Sequence, residues 1–494
     1  MKKIKLYFTA LVFGLLANSC GDFGDINEDP NNPSLPNTGY IFTYSCRYVP
    51  NFVMVGTYNP WNQMFPAYIA EPTNLQYGTF SVGPSFATSS YYLYVIKSME
   101  KIISLNADEA TRNEAYVVGF GNNQNQIAVA RTLRAFCYMH LTDILGMIPY
   151  SQAIKGDSEE NFTPAFDTQE SIYEDLDKEL TEAYNQFDTS GKLGDSDILY
   201  KGNVSKWKKL NASIRMLLAI KLSDVAPEVG KQRFAAAYNQ DHGITDIADD
   251  LKYYYVKEED NENILYNNII RKGREDFSPC STIIDQLKEF NDPRLKEYAV
   301  PNPNANGEYF GMPLGIDATE LNNHTDTRCA FNPQFYEQDT PFIVISAARV
   351  LLVQAEAAVR GWITADAAQL YKAGIQASFD EFGIQESVDN YMDQPGVRLT
   401  GSDIDKIKAI GMQRWLNGFM QDGIEAWSDW RRLDVPVLHV GDATKLIIDH
   451  VPYRLEYAVA DYDYNKANFE KVLAAQGENT RSTRVWWDVA DNQK

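Results

Sequence analysis

The residues of this sequence that are best suited to bind a ligand lie between positions 40 and 94. This stretch contains fifteen aromatic residues and only two charged ones, Arg47 and Glu71, and most of its other polar residues are Asn, Gln, Ser and Thr. The faces of Trp and Tyr rings stack on the apolar faces of sugar rings, and neutral amides and hydroxyls pair with sugar hydroxyls. The composition therefore favours a surface that binds a neutral glycan.

Two groups of rings in this stretch are expected to behave differently. The first group has the spacing of an α-helix, so we expect its members to pack mainly in the core. It comprises Tyr40, Phe42, Tyr44, Tyr48 and Phe52. The second group lies where Gly and Pro interrupt the chain repeatedly, and such loops are hard to bury completely and often carry binding residues. For this second group we weigh glycan binding and core packing equally. It comprises Trp61, Tyr77, Phe80, Tyr91 and Tyr92.

The sequence shows no clear constellation of catalytic or metal-binding residues. Its five histidines are scattered without an H-E-x-x-H pair, and it has no G-x-x-x-x-G-K loop for a phosphate. Segment 83–87 nearly matches the G-x-S-x-G nucleophile elbow, but it ends in Ala87 and lacks the strand-turn-helix context. A calcium loop starting at Asp461 is rejected because Lys466 stands where that loop needs glycine. We therefore expect no catalytic residue, no metal and no cofactor.

The overall composition excludes some classes of partner. The 494 residues carry a formal net charge of −22, which should repel phosphate backbones and argues against nucleic acid. With 44% hydrophobic and 13% aromatic residues, the chain has ample material for a large core.

The N-terminus has the pattern of an export signal. Basic residues at positions 2, 3 and 5 precede an apolar run over 6–16, and small residues lead to Cys20, which resembles a bacterial lipobox. The apolar run is too short to stay in a bilayer as a spanning helix. We predict a signal peptide over 1–19, lipidation of Cys20 and a flexible tether over 20–39. The alternative is an ordinary signal peptide that happens to contain a cysteine.

The remaining cysteines give no framework for cross-links or metals. They are far apart and form no C-x-x-C pair, so a zinc site is not expected and no disulfide can be assigned. They are Cys46, Cys137, Cys280 and Cys329.

The elements that must position the binding residues are amphipathic α-helices. Over 125–145, apolar residues recur at three- and four-residue steps, Gly146 is a helix terminator, and Pro149 prevents the helix from resuming. Similar patterns predict helices over 91–106, 171–187, 204–225, 345–361, 366–382, 404–420 and 423–432. Ser171 with Glu174 is a candidate capping box for one of them. Spacing alone indicates a mainly α, irregular solenoid of tetratricopeptide-like helix pairs.

Segment 227–342 lacks this regularity. Its density of Pro, Gly and Asn predicts a loop-rich subdomain between the two helical parts. Four tyrosines in it could complete a binding face, although we favour core packing for each. They are Tyr254, Tyr266, Tyr309 and Tyr336.

Several strings resemble motifs of the SusD/RagB family, whose members are surface lipoproteins that capture nutrients for an outer-membrane transporter. These strings are ARTLRAF at 130–136, LTDILGMIPY at 141–150, GIEAWSDWRRLDVP at 423–436 and TRVWWD at 483–488. The sequence departs from the family pattern at Ala458, where proline is usual, and at Asp461, where glutamate is usual. In the third string we expect Arg431 or Arg432 to bond carbonyl groups or Glu425.

The resemblance implies a fold, a partner and a location. It implies one SusD-like domain over 40–494, with helical parts at roughly 91–226 and 343–432 and the loop-rich insertion at roughly 227–342. It implies capture of oligosaccharides and their delivery to a SusC-like TonB-dependent transporter. It also implies attachment to the outer membrane through the lipid on Cys20, facing the cell exterior.

Two other functional hypotheses are compatible with the sequence. A secreted glycoside hydrolase would need two carboxylates that face each other across an aromatic cleft. A tetratricopeptide-type adaptor would bind peptides or proteins in a groove on its helices, and the aromatic residues would then serve only for packing.

Overall fold

A computed structural model describes residues 37–50, 60–72, 78–80 and 87–489 of the chain. The predicted signal peptide, Cys20, most of the predicted tether, Phe52 and Tyr77 lie outside the described residues.

Long α-helices dominate the described structure, which confirms the prediction of a mainly α, tetratricopeptide-like fold with an irregular part. The longer helices are Thr38–Cys46, Lys97–Ala107, Asn123–Leu145, Gln169–Gln186, Val204–Ile220, Pro227–Gln240, Ser281–Glu289, Ala347–Val359, Ala367–Glu381, Asp403–Asn417, Gly423–Leu433 and Val459–Gln476. A π-helical segment, Tyr91–Ile96, leads directly into Lys97–Ala107.

Shorter helical segments connect these helices. They are Trp61–Met64, Ala87–Ser90, Ala115–Val118, Gly156–Glu159, Ile264–Tyr266, Arg294–Tyr298, Ala318–His324, Val388–Met392 and Asp442–Lys445, with a π-helical turn at Asn267–Arg271 and 3-10 turns at Ile247–Asp249, Glu259–Asn261, Pro303–Ala305 and Pro333–Phe335.

The helices pack as neighbours along the chain, as in a solenoid. Asn123–Leu145 packs against Lys97–Ala107 and Gln169–Gln186. In the second half, Ala347–Val359 packs against Ala367–Glu381 and Asp403–Asn417. These helices thus bury their apolar faces against one another.

Gly146 ends the central helix, as the sequence predicts. Its φ of +85° is a conformation that L side chains rarely adopt, and its N–H bonds to the carbonyl of Thr142 at 2.7 Å. A Cβ at this position would lie 2.1 Å from Gln476 Oε1 of the C-terminal helix. Glycine is therefore required both by the backbone and by the close approach of that helix.

Two local predictions are wrong. Segment 227–240, assigned to the loop-rich insertion, is a regular helix with Pro227 in its first turn, and it packs on Val204–Ile220. The capping box at Ser171 is also absent, because the N-cap is Thr168, whose side chain accepts from the Ser171 N–H at 3.2 Å. In the first case a helix forms where none was predicted, and in the second the helix begins at a different residue from the one predicted.

Short antiparallel strand pairs connect the segments that lie between the helices. Leu251–Tyr253 pairs with Phe342–Ile345 and so joins the two ends of the insertion. Within the described residues the other pairs are Ile69–Ala70 with Ser278–Pro279, Ile148–Pro149 with Phe166–Asp167, and Ala299–Val300 with Ala330–Phe331.

The helix corner at 423–433 contains buried arginines. Arg431 Nη1 donates to the carbonyls of Asp143 at 2.7 Å and Tyr453 at 2.9 Å, which confirms the expected bonding to carbonyl groups. Arg432 instead pairs with Glu356, at 2.8 Å between Nη2 and Oε2. These bonds fasten the corner to both helical parts of the chain.

Candidate functional site

A cleft of about 330 Å³ opens in the loop-rich insertion. Three separate segments line it: 265–278, 300–303 and 328–336. Its apolar wall includes Phe277, Phe331 and Tyr336. A concave site with aromatic walls and a few polar groups is the usual form of a small-ligand site.

The short strand pairs hold the walls of this cleft in place. Ser278 pairs with Ala70, and Val300 pairs with Ala330, so each wall is fixed by only two residues of strand on each side. Tyr336 follows the turn Pro333–Phe335, whose N-cap Asn332 accepts from the Gln334 N–H at 3.1 Å.

The charges at the cleft compensate one another. Arg328 Nη2 lies 2.9 Å from Glu275 Oε2, and Arg274 Nη2 lies 2.8 Å from Asp276 Oδ2. Two cations and two anions leave the lining without net charge. Such a cleft suits a neutral ligand rather than an ionic one.

Several polar groups lie beside the aromatic wall of this cleft. Burial, and after it the nearby Glu275 carboxylate, raises the pKa of Tyr336, so its phenol stays protonated and can donate a hydrogen bond at neutral pH. Ser278 Oγ and Arg328 Nε are buried and have no hydrogen-bond partner within the described part of the chain. Because these two atoms are closed off from solvent, the half-buried Tyr336 hydroxyl is the better-placed partner for a hydroxyl-rich ligand.

Three of the aromatic side chains for which glycan binding and core packing were equally expected point toward the interior. Trp61, Phe80 and Tyr91 have exposed fractions of 2%, 1% and 2%. The Trp61 ring lies 5.9 Å from Trp427, and Phe80 lies 5.3 Å from Phe65, centroid to centroid. These three rings therefore occupy core positions, and they present no face to a sugar in this conformation.

Tyr92 is partly buried, and its hydroxyl is already engaged. It donates to the carbonyl of Pro149 at 2.7 Å, and its ring lies 6.1 Å from Tyr138. Of the predicted ligand contacts, Tyr77 alone lies outside the described residues, and its role stays a prediction.

The aromatic side chains with helical spacing, which we expected to pack mainly in the core, are instead divided between the core and the surface. Phe42 is fully buried, whereas Tyr40 and Tyr44 are 70% and 45% exposed. Tyr48 is half-buried and packs on Tyr94. The core expectation is therefore wrong for Tyr40 and Tyr44, because only one face of their helix meets the interior.

Among the four tyrosines of the insertion, Tyr336 lines the aromatic cleft. Tyr309 lines a different groove, together with Asn291 and Asn390. Tyr266 is half-buried next to Arg271, and Tyr254 is 52% exposed beneath Lys201. Phe277 and Phe331 are not predicted from the sequence, because Phe331 lies in a two-residue strand, Phe277 directly precedes another, and such short strands leave no periodic signal.

Two larger grooves are less suited to a neutral sugar. One of about 610 Å³ lies beside Lys97–Ala107 and Asn123–Leu145, and half of its lining residues are charged. There Arg131 and Arg134 outweigh burial and lower the pKa of Glu179, so this carboxylate is held ionised and is a poor general acid. The other, of about 570 Å³, is the groove at Tyr309, and most of its lining residues are polar or charged.

The described residues form neither a cluster for a metal ion nor a helix that could span a membrane. They contain no group of three or more His, Cys, Asp or Glu side chains placed to hold a metal ion. No helix in the described ranges has the length and hydropathy required to cross a membrane.

Comparisons with known proteins agree on one family. A family model described as SusD-like, starch-binding and associating with the outer membrane matches residues 31–458. No curated protein matched the sequence. A solved chitin-binding protein is 27% identical, with a TM-score of 0.78, and the match covers 92% of this chain and 100% of that one.

More distant structures share the fold. A chitin-binding SusD homolog from Flavobacterium johnsoniae is 22% identical, with a TM-score of 0.76 and coverage of 91% of this chain and 99% of its own. A SusD homolog from Bacteroides fragilis is also 22% identical, with a TM-score of 0.76 and coverage of 92% and 99%.

Proposed function

This chain belongs to the SusD-like family of starch-binding proteins that associate with the outer membrane, and from that premise we propose that it captures oligosaccharides at the cell surface and delivers them to a SusC-like TonB-dependent transporter. Lipidated Cys20 anchors it, facing the cell exterior. It binds its cargo without cleaving it. The 27% identical chitin-binding protein supports a glycan as that cargo.

The observation that carries the binding role is the aromatic, charge-compensated cleft at Phe277, Phe331 and Tyr336. Rings supply the apolar contact that sugars need, and the neutral lining avoids the cost of removing water from an unpaired charge. A volume of about 330 Å³ suits a short part of an oligosaccharide rather than a whole chain. Tyr77 remains a predicted further contact.

Binding rather than hydrolysis is favoured by the carboxylates of the cleft. Glu275 and Asp276 are neighbours in sequence, and each is paired with an arginine. A glycosidase needs one protonated carboxyl and one carboxylate on opposite sides of the scissile bond. This pair of ion-paired neighbours does not offer the opposed arrangement.

Calorimetric titration of the soluble form, starting after Cys20, against neutral and acidic oligosaccharides and mixed peptides tests the proposal. Products are checked by chromatography in the same samples. We expect binding of one sugar class without cleavage, and a Tyr336→Ala variant should bind that sugar about three- to tenfold more weakly, the range for one aromatic contact. Tyr464→Ala, which alters an 80% exposed ring on the C-terminal helix, is the matched control.

Other outcomes would point elsewhere. Cleavage of the sugar would overturn the binding-only role. Peptide binding without sugar binding would favour an adaptor that uses the charged groove beside Lys97–Ala107. Equal affinities of Tyr336→Ala and Tyr464→Ala would remove the aromatic cleft as the site.

Membrane attachment has a separate test in cells. The Cys20→Ala variant should move from the membrane fraction to the soluble fraction, because it lacks the residue that would carry the lipid. Retention of that variant in the membrane would contradict the lipid anchor.

A further inference from the structure

Four tyrosines form an aromatic surface at the start of the described residues, and the rings of three of them are in contact. Tyr40 and Tyr44 lie one helical turn apart on Thr38–Cys46, and they are 70% and 45% exposed. Tyr44 lies 5.1 Å from Tyr48 and 6.3 Å from Tyr94, centroid to centroid. Exposed apolar surfaces of this kind commonly mark an interaction site.

This surface is held in a fixed arrangement. Tyr48 and Tyr94 stack at 4.0 Å with an angle of 9° between their planes. A hydrogen bond with Tyr48, and after it partial burial, raises the pKa of Tyr44 to about 12. The Tyr44 phenol is thus neutral, and its ring already packs against Tyr48 and Tyr94 before any ligand arrives, which lowers the entropy cost of binding.

The two helical segments that carry Tyr40, Tyr44 and Tyr94 lack charge, whereas Tyr48 follows Arg47 just beyond the first of them. Neither Thr38–Cys46 nor the adjoining segment Tyr91–Ile96 contains a charged residue, although the whole chain carries a net charge of −22. Along an α-helix, residues four apart are separated by about 6 Å, so Tyr40 and Tyr44 present successive rings along one line. A neutral, extended and hydroxyl-rich polymer fits such a line better than an ionic partner does.

We propose that Tyr40, Tyr44, Tyr48 and Tyr94 form a second glycan-binding surface, which holds a neutral polysaccharide chain outside the cleft at Tyr336. This inference rests on the proposed function, because it assumes that the cargo is a glycan. The surface is open, so it adds affinity for long chains that can engage both places at once. A short oligosaccharide that fills only the cleft gains nothing from it.

The test compares one glycan at two lengths. The calorimetric panel first identifies the bound sugar, and then its hexamer and its polymer are measured with a Tyr40→Ala/Tyr44→Ala variant of the soluble form. We expect polymer affinity to fall about three- to tenfold for each ring lost and hexamer affinity to stay unchanged. Tyr464→Ala serves as the control, and circular dichroism confirms that each variant is folded.

The outcomes separate this inference from the proposed function. If Tyr336→Ala weakens the hexamer but the double variant binds polymer as the wild type does, the second surface is refuted and the cleft stands. If no glycan of either length binds, both are overturned. If the double variant loses binding to phospholipid vesicles instead of polymer, the tyrosines contact a membrane, and the inference is again refuted.

Discussion

Replacing Glu356 by glutamine should strongly destabilise the protein. Glu356 is fully buried, and its Oε2 lies 2.8 Å from Arg432 Nη2 and 2.8 Å from Arg414 Nη2. Its Oε1 accepts from Arg360 Nε at 2.8 Å. Glutamine keeps the size and shape of the side chain, so the substitution changes mainly the charge.

The size of the effect follows from the charges that remain. Asp429 is the other buried carboxylate of this cluster, and it lies 3.0 Å from Arg414 and 2.9 Å from Arg349. Without Glu356, one carboxylate would face three buried guanidinium groups. Breaking a buried ion pair costs about 3–5 kcal/mol. At about 2.1 cal/mol/K of unfolding entropy per residue, a chain of this size should lose about 3–5 °C in Tm.

The effect should also depend on pH. Burial alone would raise the pKa of Glu356, but Arg432, Arg414 and Arg360 outweigh it and hold the pKa well below the usual 4.5. A lowered pKa in the folded state contributes stability above pH 4.5, and this contribution is lost as pH falls below that value. The stability difference between wild type and variant should therefore be full at pH 7 and narrow below pH 4.5.

Urea unfolding and thermal unfolding at pH 7 and below pH 4.5 measure this difference. The matched control is Glu182→Gln, which removes a 49% exposed carboxylate from an ion pair with Arg131 and should cost less than about 1 kcal/mol. If Glu356→Gln were as mild as Glu182→Gln, or if its cost did not change with pH, the assigned role of the buried charge would be refuted.

Three further predictions concern the core. Gly146→Ala should destabilise the protein by about 1–3 kcal/mol in urea unfolding, because it forces a positive φ and a contact with Gln476; an unchanged midpoint would contradict this. Lys221→Met should cost about 3–5 kcal/mol in the same assay, since it leaves Asp143 and Glu425 buried without the ammonium that lies 2.6 and 2.5 Å from them; a neutral effect would mean that the pair is not charged. The thiols of the soluble form should react slowly in the native state, and titration in denaturant should reach four thiols. The reason is that its four cysteines, Cys46, Cys137, Cys280 and Cys329, are buried and form no disulfide. Rapid labelling of the native protein would contradict the structure.

Local sequence patterns were sufficient to predict most of the helices and to recognise the family. The central helix is predicted over 125–145 and observed at Asn123–Leu145, because its apolar spacing and its terminating glycine act over neighbouring residues. The motifs at 130–150 and 423–436 indicated the family as short strings of residues, although Arg431 and Arg432 of the second motif contact residues far away in the chain.

The tertiary structure alone decided which rings face solvent. Trp61 and Tyr40 both lie in the same aromatic stretch, yet Trp61 packs against Trp427 and Tyr40 is 70% exposed. Composition cannot separate them, because burial depends on a partner more than 350 positions away in the chain. The cleft shows the same dependence: Phe277 meets Phe331 and Tyr336 because the strand Ser278–Pro279 lies against the strand Ala330–Phe331, which is distant in the sequence. Such contacts leave no periodic trace in the sequence, so the binding surfaces become visible only when the chain is folded.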